Sequence, residues 1–407
     1  MRSMKFWIVA SAYGLWLFGL VEVFYLTNGT ADNALEFTLM AGAVPAGLQL
    51  FLLGLDPIGL VAPVKFALVL LLIILLSYFG NAQDWTPLIQ ACNISFVLGI
   101  AILAAGSPDE RLLPAIAMLC SVFTGILLIY VNFTGEYVWG RLAAHHIQPN
   151  FWGTIGLAVA LAALGARRLP LMLLGLGAGL LTLYDASARG SLVGLLAALL
   201  ALLLVAGRRL RDRRLVTVLI GTGTLLVVAM AASSYVSGLA DVIWSDVFKG
   251  DDPYRGLGSG LTGRTELWEE TLDVWIKSPL FGVGYHQHEN MMSTIGAHNA
   301  YLAMLADTGV FSLLLYGWLL VRSFVAGLTI EQPALRRLTI AYVVGYAVYG
   351  FFEARAFNSG NPLSLLFLMC CFAALAHHAR QRAAASAYAG PPSARLRESA
   401  SPDTGYA

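Results

Sequence analysis

The sequence has little charge. Of its 407 residues, only 12% are Asp, Glu, Lys or Arg, whereas 58% are hydrophobic. Soluble domains carry about 25% charged residues, so this composition excludes an ordinary water-soluble protein. A helix that crosses the hydrocarbon core of a membrane needs about 20 apolar residues, and many windows of this chain approach that length. The composition therefore predicts an all-α polytopic membrane protein.

Other signals are also scarce. The formal net charge is +1, which gives no reason to expect a nucleic-acid partner. The four cysteines all lie in apolar windows, where they act as small apolar residues and cannot form a disulfide framework. The chain lacks G-x-x-x-x-G-K-[ST], a strand-flanked G-x-G-x-x-G and H-x-x-x-H. We therefore expect neither a nucleotide cofactor nor a resident metal ion.

The apolar windows predict about twelve transmembrane spans. They are residues 6–25, 37–54, 63–80, 87–105, 112–131, 151–166, 169–183, 190–206, 215–237, 299–322, 335–352 and 361–378. Cytoplasmic loops collect Lys and Arg, and a cytoplasmic amino terminus places 18 of the 25 basic residues inside. Both termini are then cytoplasmic. Seven basic residues remain outside, where each invites a reason for its presence: Arg141, Arg189, Lys249, Arg255, Arg264, Lys277 and Arg355.

A single transmembrane domain is predicted over residues 1–378, followed by a disordered cytoplasmic tail over 379–407 that is rich in Ala, Ser and Pro. A long outside segment, 238–298, lies between spans 9 and 10 and is expected to contain short helices. Its stretch "TELWEETLDVWI" has apolar residues on one helical face, so we expect this helix to lie across the top of the bundle. The residues of that face are Trp268, Leu272, Trp275 and Ile276.

Arg189 lies in "YDASARGSLVG", where one predicted span reaches the outside and the next begins. A buried Arg costs about 2.5–3.5 kcal/mol at a helix centre and less near a helix end, so an anionic partner is expected. Two partners stay open. Asp185, four residues earlier, would form an ordinary helical ion pair. A phosphate-bearing ligand would instead bind the guanidinium fork in bidentate fashion.

Arg264 closes the glycine-rich run "GLGSGLTG", directly before the amphipathic helix. Small residues let backbone N–H groups approach an anion, and the start of a helix favours negative charge. A flexible loop without a ligand is the alternative explanation. Two outside arginines near helix ends indicate a diphosphate more strongly together than either does alone.

His298 begins "HNAYLAMLADTGVF", directly before a long apolar run, with Asn299 and Tyr301 beside it. A neutral imidazole at this position would accept a proton from a hydroxyl group. A helix cap or an interfacial ring is the alternative. The nearby "HQHE", with His286 and His288, superficially resembles a metal site, but its spacing is weak evidence for one.

Two further polar groups are predicted on the outside. Arg141 lies in the loop 132–150 with aromatic residues that suit stacking on a sugar or a lipid, although a wet loop surface explains them equally well. Glu353 and Arg355 follow the eleventh span, where they are expected to neutralise one another.

Three motifs in this order resemble the O-antigen ligase and polymerase superfamily of bacterial membrane glycosyltransferases, most closely its O-antigen ligase branch. They are "SARGS", "GRTELWEETLDVWIKSPLFGVGYH" and "HNAYLAMLADTGVFSLLLYG", within residues 187–317. The resemblance implies a GT-C-like fold and transfer of a glycan from undecaprenyl diphosphate to a lipid A-core hydroxyl. This transfer would occur at the periplasmic face of the inner membrane, in lipopolysaccharide biosynthesis, with neither metal nor nucleotide sugar.

Carried over by position, the resemblance implies that Arg189 and Arg264 hold the diphosphate and that His298 acts on the acceptor. Five further residues are candidate groups for binding the diphosphate or the acceptor: Asn299, Tyr301, Asp185, Arg355 and Arg141. No side-chain nucleophile is evident, so we expect a single displacement that inverts the configuration of the sugar. Besides the donor and the acceptor, membrane lipids are the expected partners.

Two other interpretations stay open. A polymerase that joins repeat units, or a protein O-oligosaccharyltransferase, would belong to the same superfamily and differ in its acceptor. A transporter or flippase for an anionic lipid would use the outside arginines as a binding site. That second interpretation predicts ionisable residues near the middle of the spans and access from both sides. The candidate residues collect at one face instead, which favours an enzyme.

Overall fold

The structure is a computed structural model. It describes residues 2–26, 32–81, 85–138, 140–144, 147–207, 264–293, 296–354, 357 and 360–388. The predicted span 215–237, the glycine-rich run before Arg264 and the candidate residue Arg355 lie outside the described residues.

The described chain is almost entirely helical. Its α-helices are α1 (Arg2–Leu26), α2 (Asp32–Met40), α3 (Ala43–Leu52), α4 (Pro57–Asn81), α5 (Thr86–Ala105), α6 (Leu112–Thr134), α7 (Pro149–Ala163), α8 (Leu169–Asp185), α9 (Arg189–Gly207), α10 (Arg264–Ile276), α11 (Ala300–Thr329), α12 (Pro333–Tyr349) and α13 (Pro362–Tyr388). Between α6 and α7, the short strands β1 (Tyr137–Val138) and β2 (Arg141–Leu142) pair in antiparallel fashion. The last helix runs past residue 379, so it extends into the segment predicted as a tail.

Length and apolarity decide which helices can cross a membrane. Among the helices that the structure describes, six are long and apolar enough: Ser3–Val23, Pro57–Gly80, Pro87–Ala105, Leu112–Thr134, Ala300–Thr329 and Pro362–Ala387. Four shorter apolar segments accompany them: Glu36–Leu52, Pro149–Ala163, Leu169–Asp185 and Arg189–Val205. The prediction of a polytopic, helical membrane protein is confirmed. The count of about twelve spans stays a prediction.

The loops at one end of the bundle meet through backbone contacts. The connection between α6 and α7 reaches the connection between α8 and α9, because Arg141 Nε donates to the Ala186 carbonyl at 2.8 Å. The start of α11 reaches the end of α12, because the Ala300 N–H donates to the Gly350 carbonyl at 2.7 Å. We call this the site end.

Charged pairs join the helices at the opposite end. The Asp56 carboxylate accepts a hydrogen bond from Arg380 of α13, and the Asp56 N–H donates to the Gly106 carbonyl at 2.9 Å. Glu110, in the connection between α5 and α6, lies 2.6 Å from His377 Nδ1 of α13. We call this the basic end, because the arginines predicted to be cytoplasmic between α7 and α8 also lie here.

The centre of the bundle is formed by α7 and α13. Every residue of α7 from Phe151 to Ala163 is buried, and so is 89% of the most apolar window of α13. The hydroxyl of Tyr342 on α12 donates to the Ala158 carbonyl of α7 at 2.8 Å. This contact fixes α12 against α7. Asn150, at the start of α7, and Glu353, just after the end of α12, are therefore held at a defined separation.

A break in α11 shapes the loop that leads to His298. Gly309 has φ 75° and ψ −174°, which are not helical. A Cβ at this position would lie 2.1 Å from the Leu280 carbonyl oxygen, so a side chain does not fit without a shift of the backbone. Beyond the break, the Val310 N–H donates to the Pro279 carbonyl at 3.1 Å. The loop after α10 is thereby attached to α11.

The face by which α10 packs differs in part from the one that its apolar residues predicted. Thr271 and Val274 are buried, and Val274 packs with Ala306 of α11. Of the predicted face, Trp275 packs against the same cluster, whereas Leu272 and Ile276 are exposed. The predicted apolar face is therefore the packed face only in part. The expected packing of this helix on protein holds.

Candidate functional site

Glu353 lies at the centre of a polar group at the site end. It follows α12 and is only 8% exposed. Its Oε1 accepts a hydrogen bond from Asn150 Nδ2 at 2.9 Å and lies 3.7 Å from Arg264 Nη2. Its Oε2 lies 3.5 Å from His298 Nδ1. One carboxylate therefore connects the starts of α7 and α10 with the residue that precedes the first turn of α11.

Arg141 extends this group on the side of α7. Its Nη2 donates to Asn150 Oδ1 at 2.8 Å, while its Nε is held by the Ala186 carbonyl. Asn150 thus accepts from Arg141 and donates to Glu353. The structure brings Arg141, Arg264 and His298, all predicted from the sequence, into one connected set of contacts.

Arg189 is the first residue of α9, whose start lies beside the same group. The backbone of Gly190 packs so closely on Phe352 that a Cβ there would lie 2.4 Å from the Phe352 Cβ. Phe352 directly precedes Glu353 in the chain. The positive end of α9 therefore lies next to the segment that carries the carboxylate, where it favours a negatively charged ligand.

Asp185 and Arg189 do not belong to one helix. The helix α8 ends at Asp185, Ser187 has a φ of 48°, and α9 begins at Arg189. A pair between them would therefore join two helices and not neighbouring turns of one helix, and it stays a prediction. The Oδ2 of Asp185 accepts a hydrogen bond from the Tyr137 hydroxyl at 3.3 Å.

His298 has an uncommon backbone conformation. Its φ is 46°, in the left-handed region that few residues other than glycine adopt, and its side chain is 37% exposed. The cap of α11 is the next residue, since Asn299 Oδ1 accepts from the N–H groups of Tyr301 at 3.0 Å and Leu302 at 3.1 Å. The alternative that His298 itself caps the helix was therefore wrong. Its ring is left to interact with Glu353.

Tyr301 joins α11 to α12. Its hydroxyl donates to the Ala347 carbonyl at 2.6 Å, and its ring centre lies 4.6 Å from that of Phe351. These contacts hold the segments that carry His298 and Glu353 side by side. Direct contact of Tyr301 or Asn299 with a substrate stays a prediction.

The charges of this site suit an anionic substrate. Among the described residues, Glu353 contacts Arg264 directly and is linked to Arg141 through Asn150, and the start of α9 with Arg189 lies beside this group. The distances of 3.5 and 3.7 Å to Glu353 exceed the 2.7–2.9 Å that is typical of charge-assisted N–H···O bonds, so His298 and Arg264 retain capacity for a ligand. Because Nδ1 of His298 faces the carboxylate, its Nε2 is the nitrogen left to accept a proton.

The histidines of "HQHE" have other surroundings. His288 is buried, and both its Nδ1, at 2.8 Å, and its N–H, at 3.1 Å, contact Asp307 Oδ1 of α11. Burial opposes the charged form, but the Asp307 charge and hydrogen bond outweigh it and raise the pKa of His288. The ring of His286 lies 4.6 Å from that of Tyr285. Within the described parts of the chain, no three His, Cys, Asp or Glu side chains are grouped so that they could hold a metal ion.

Two residues of the site were missed from the sequence. Glu353 was expected to neutralise Arg355, which lies outside the described residues, so that pairing stays a prediction; the contacts of Glu353 with Arg264 and His298 were not predicted. The basic residues predicted outside were the available signal for Glu353, because buried positive charges are usually accompanied by a carboxylate at the same end of the protein. Asn150, a neutral residue at the start of a helix, gives no comparable signal.

Comparison with known proteins agrees with the resemblance carried by the three motifs. Residues 172–317 match the family model described as O-antigen ligase, and this range includes Arg189, Arg264 and His298. The chain is also 29% identical over 233 residues to the exopolysaccharide production protein ExoQ of Rhizobium meliloti. That alignment covers 52% of this chain and 51% of ExoQ, so the chain spans about half the length of this curated relative.

Proposed function

Because residues 172–317 carry an O-antigen ligase family domain, we propose that this membrane protein is an O-antigen ligase. It transfers a glycan from undecaprenyl diphosphate to a lipid A-core sugar hydroxyl, at the periplasmic face of the bacterial inner membrane. The reaction is independent of metal and inverts the configuration of the sugar. The observation that carries the proposal is the convergence of Arg264 and His298 on one buried carboxylate, Glu353.

The reaction is a single displacement. The acceptor oxygen attacks the anomeric carbon, and the bond from that carbon to the diphosphate oxygen breaks. The hydroxyl proton moves to Nε2 of His298, and undecaprenyl diphosphate leaves with the electron pair. Glu353, 3.5 Å from Nδ1, stabilises the imidazolium that forms, as a carboxylate does when it orients a histidine base.

The arginines stabilise the leaving group. Arg264 and Arg189 bind the diphosphate and neutralise the charge that develops on its bridging oxygen. Arg264 is close to Glu353 but beyond hydrogen-bond distance, so its guanidinium group is able to turn to the substrate without breaking a strong bond. Arg141, held by Asn150 and the Ala186 carbonyl, adds positive potential from a fixed position.

A polymerase-type role is the second candidate. The similarity to an exopolysaccharide production protein favours it. The displacement would be the same, but the acceptor hydroxyl would belong to a second carrier-linked glycan. The residues around Glu353 serve either acceptor, so only the product separates the two roles.

The test is transfer by the purified full chain in detergent with a chelator present. The donor is an undecaprenyl diphosphate-linked glycan, offered with lipid A-core, with an acceptor protein or alone, beside a His298→Ala control. A larger lipid A-core product supports the ligase, a lengthened carrier-linked glycan identifies a polymerase, and a glycosylated protein identifies a protein ligase. If folded wild-type protein forms none of these products, the transferase proposal is wrong. A flux assay with vesicles then examines transport.

A further inference from the structure

A cleft lies at the basic end, across the bundle from Glu353. Its volume is about 1170 Å³, above the 300–1,000 Å³ that is usual for small-molecule sites. The start of α1, the end of α3, the start of α6 and the connection between α7 and α8 form its walls. The apolar side chains that line it are Phe6, Trp7, Leu52, Leu53, Met118 and Leu171.

The acidic residues that line this cleft already have partners. Asp109 lies 2.7 Å from Arg111, whose hydrogen bond lowers the pKa of that carboxyl. Glu110 lies 2.6 Å from His377 Nδ1 and 3.7 Å from Arg380, and the bond to His377 lowers its pKa. Both carboxylates are therefore charged at neutral pH and are matched by nearby positive charge.

Three basic residues of the cleft remain: Lys5, Arg167 and Arg168. In the part of the chain that the structure describes, none of them lies within ion-pair distance of a carboxylate, although the charge of Arg167 adds to the effect of Arg111 in lowering the pKa of Asp109. Arg168 also precedes α8, whose first turn has no side-chain cap, so the positive end of that helix adds to the preference for an anion. The cleft therefore combines surplus positive charge with apolar walls.

We propose that this cleft binds an anionic phospholipid of the cytoplasmic leaflet. Its phosphate contacts Lys5, Arg167 and Arg168, and its acyl chains follow the apolar wall. Basic pockets between transmembrane helices on the cytoplasmic side recognise such headgroups. Trp7, which is 46% exposed, belongs to a residue type enriched at the membrane interface. The enrichment of arginine in cytoplasmic loops explains why basic residues lie at this end. It does not explain why these basic residues line a cleft with apolar walls.

Native mass spectrometry of the purified full chain tests the proposal through competition between phosphatidylglycerol and phosphatidylcholine. Wild type is expected to prefer phosphatidylglycerol. Each basic residue near an anionic lipid is expected to strengthen the preference for that lipid about fivefold. The double variant Arg167→Gln with Arg168→Gln removes two such residues, so we expect it to lose about thirtyfold of the preference for phosphatidylglycerol. The melting temperature is expected to stay near that of wild type, because neither side chain joins two helices through an ion pair.

The matched control is Arg322→Gln with Arg382→Gln, which removes two charges from the same end but outside the cleft. The control is expected to retain the preference. An equal loss in both double variants, or no preference in wild type, would overturn the proposal. Displacement of phosphatidylglycerol by undecaprenyl phosphate at an equal or lower concentration would also overturn it and assign the cleft to the carrier lipid. Lys5→Gln, on a different element, provides a second variant with about a fivefold expected loss.

Discussion

The two ends of the bundle contain the same pair of residue types at different separations. At the basic end, Glu110 lies 2.6 Å from His377 Nδ1, whereas at the site end Glu353 lies 3.5 Å from His298 Nδ1. The short contact is a complete charged hydrogen bond, and it joins the connection before α6 to α13. The long contact leaves both partners able to bind another group. Separation thus distinguishes the pair that holds helices together from the pair for which we propose a role with substrate.

The two histidines also differ in backbone conformation and exposure. The side chain of His377 is 8% exposed and projects from the regular helix α13, whereas His298 has a φ of 46° and a side chain that is 37% exposed. Conformations of the second kind cost about 1–3 kcal/mol and persist where the surrounding structure enforces them, often at functional sites. At His298, the Asn299 cap and the contacts of Tyr301 hold the backbone in this conformation.

Replacement of His298, the proposed base, is expected to have the largest effect on the comparison of the two ends. In His298→Ala, no imidazole accepts the hydroxyl proton, so kcat for glycan transfer falls about 10²–10⁴-fold. The melting temperature stays close to that of wild type, because the ring is partly exposed and makes no short hydrogen bond. His286→Ala, in the same loop, is the control and retains its kcat. Wild-type kcat in His298→Ala would exclude His298 from the reaction.

Replacement of Arg264 by lysine tests the geometry of its guanidinium group. Lysine keeps the charge but loses the bidentate fork, so we expect KM for the diphosphate donor to rise about 10- to 100-fold. Initial rates at several donor concentrations measure this change. Lys277→Arg, at the other end of α10, serves as the control. An unchanged KM in Arg264→Lys would argue against contact between Arg264 and the diphosphate.

The substitution Asn150→Ala tests whether the hydrogen bonds of Asn150 with Arg141 and Glu353 hold these two side chains in position. In Asn150→Ala, Arg141 and Glu353 each lose one hydrogen bond, so we expect transfer to slow about fivefold with little change in donor KM. Gln148→Ala, which alters a neighbouring loop residue, is the control. Equal rates for the two variants would show that Asn150 has no positioning role.

The smallest expected effect is a pH dependence of stability at the basic end. The hydrogen bond from His377 lowers the pKa of Glu110 below its usual value of 4.5. The stability that this pair contributes is therefore complete above that usual value and is lost as the pH falls through the lowered pKa. Glu110→Gln should be about 1 kcal/mol less stable at neutral pH, with a smaller further loss in acid. Parallel acid sensitivity of wild type and variant, measured by thermal unfolding, would contradict this assignment.

Much of the site followed from two sequence arguments. Few basic residues are expected outside, which singled out Arg141 and Arg264, and a titratable ring directly before an apolar run singled out His298. The structure brings these three residues into one connected set of contacts. The role of Glu353 did not follow, because its partners lie far away in sequence while Arg355 is two residues away. Contacts between residues that only helix packing brings together cannot be predicted from which residues are neighbours in the sequence.

Local structure was also predicted unevenly. The helices were predictable because long apolar runs can be read directly from the sequence. The break after α8 was predictable as well, since the predicted spans 169–183 and 190–206 leave it between them. The left-handed backbone of Ser187 at this break was not predicted. The packed face of α10 was predicted only in part, since Trp275 packs against Val274 and Ala306 while Leu272 and Ile276 are exposed.

The most direct test of the account compares two carboxylate substitutions, Glu353→Gln at the site end and Asp56→Asn at the basic end, by transfer rate and melting temperature. Both carboxylates have an arginine partner, Arg264 and Arg380 respectively. The account predicts that Glu353→Gln lowers the rate about 10- to 100-fold and leaves the melting temperature nearly unchanged. Asp56→Asn should lower the melting temperature and leave the rate per folded molecule unchanged. A wild-type rate in Glu353→Gln would contradict the central claim that this carboxylate organises the reacting group.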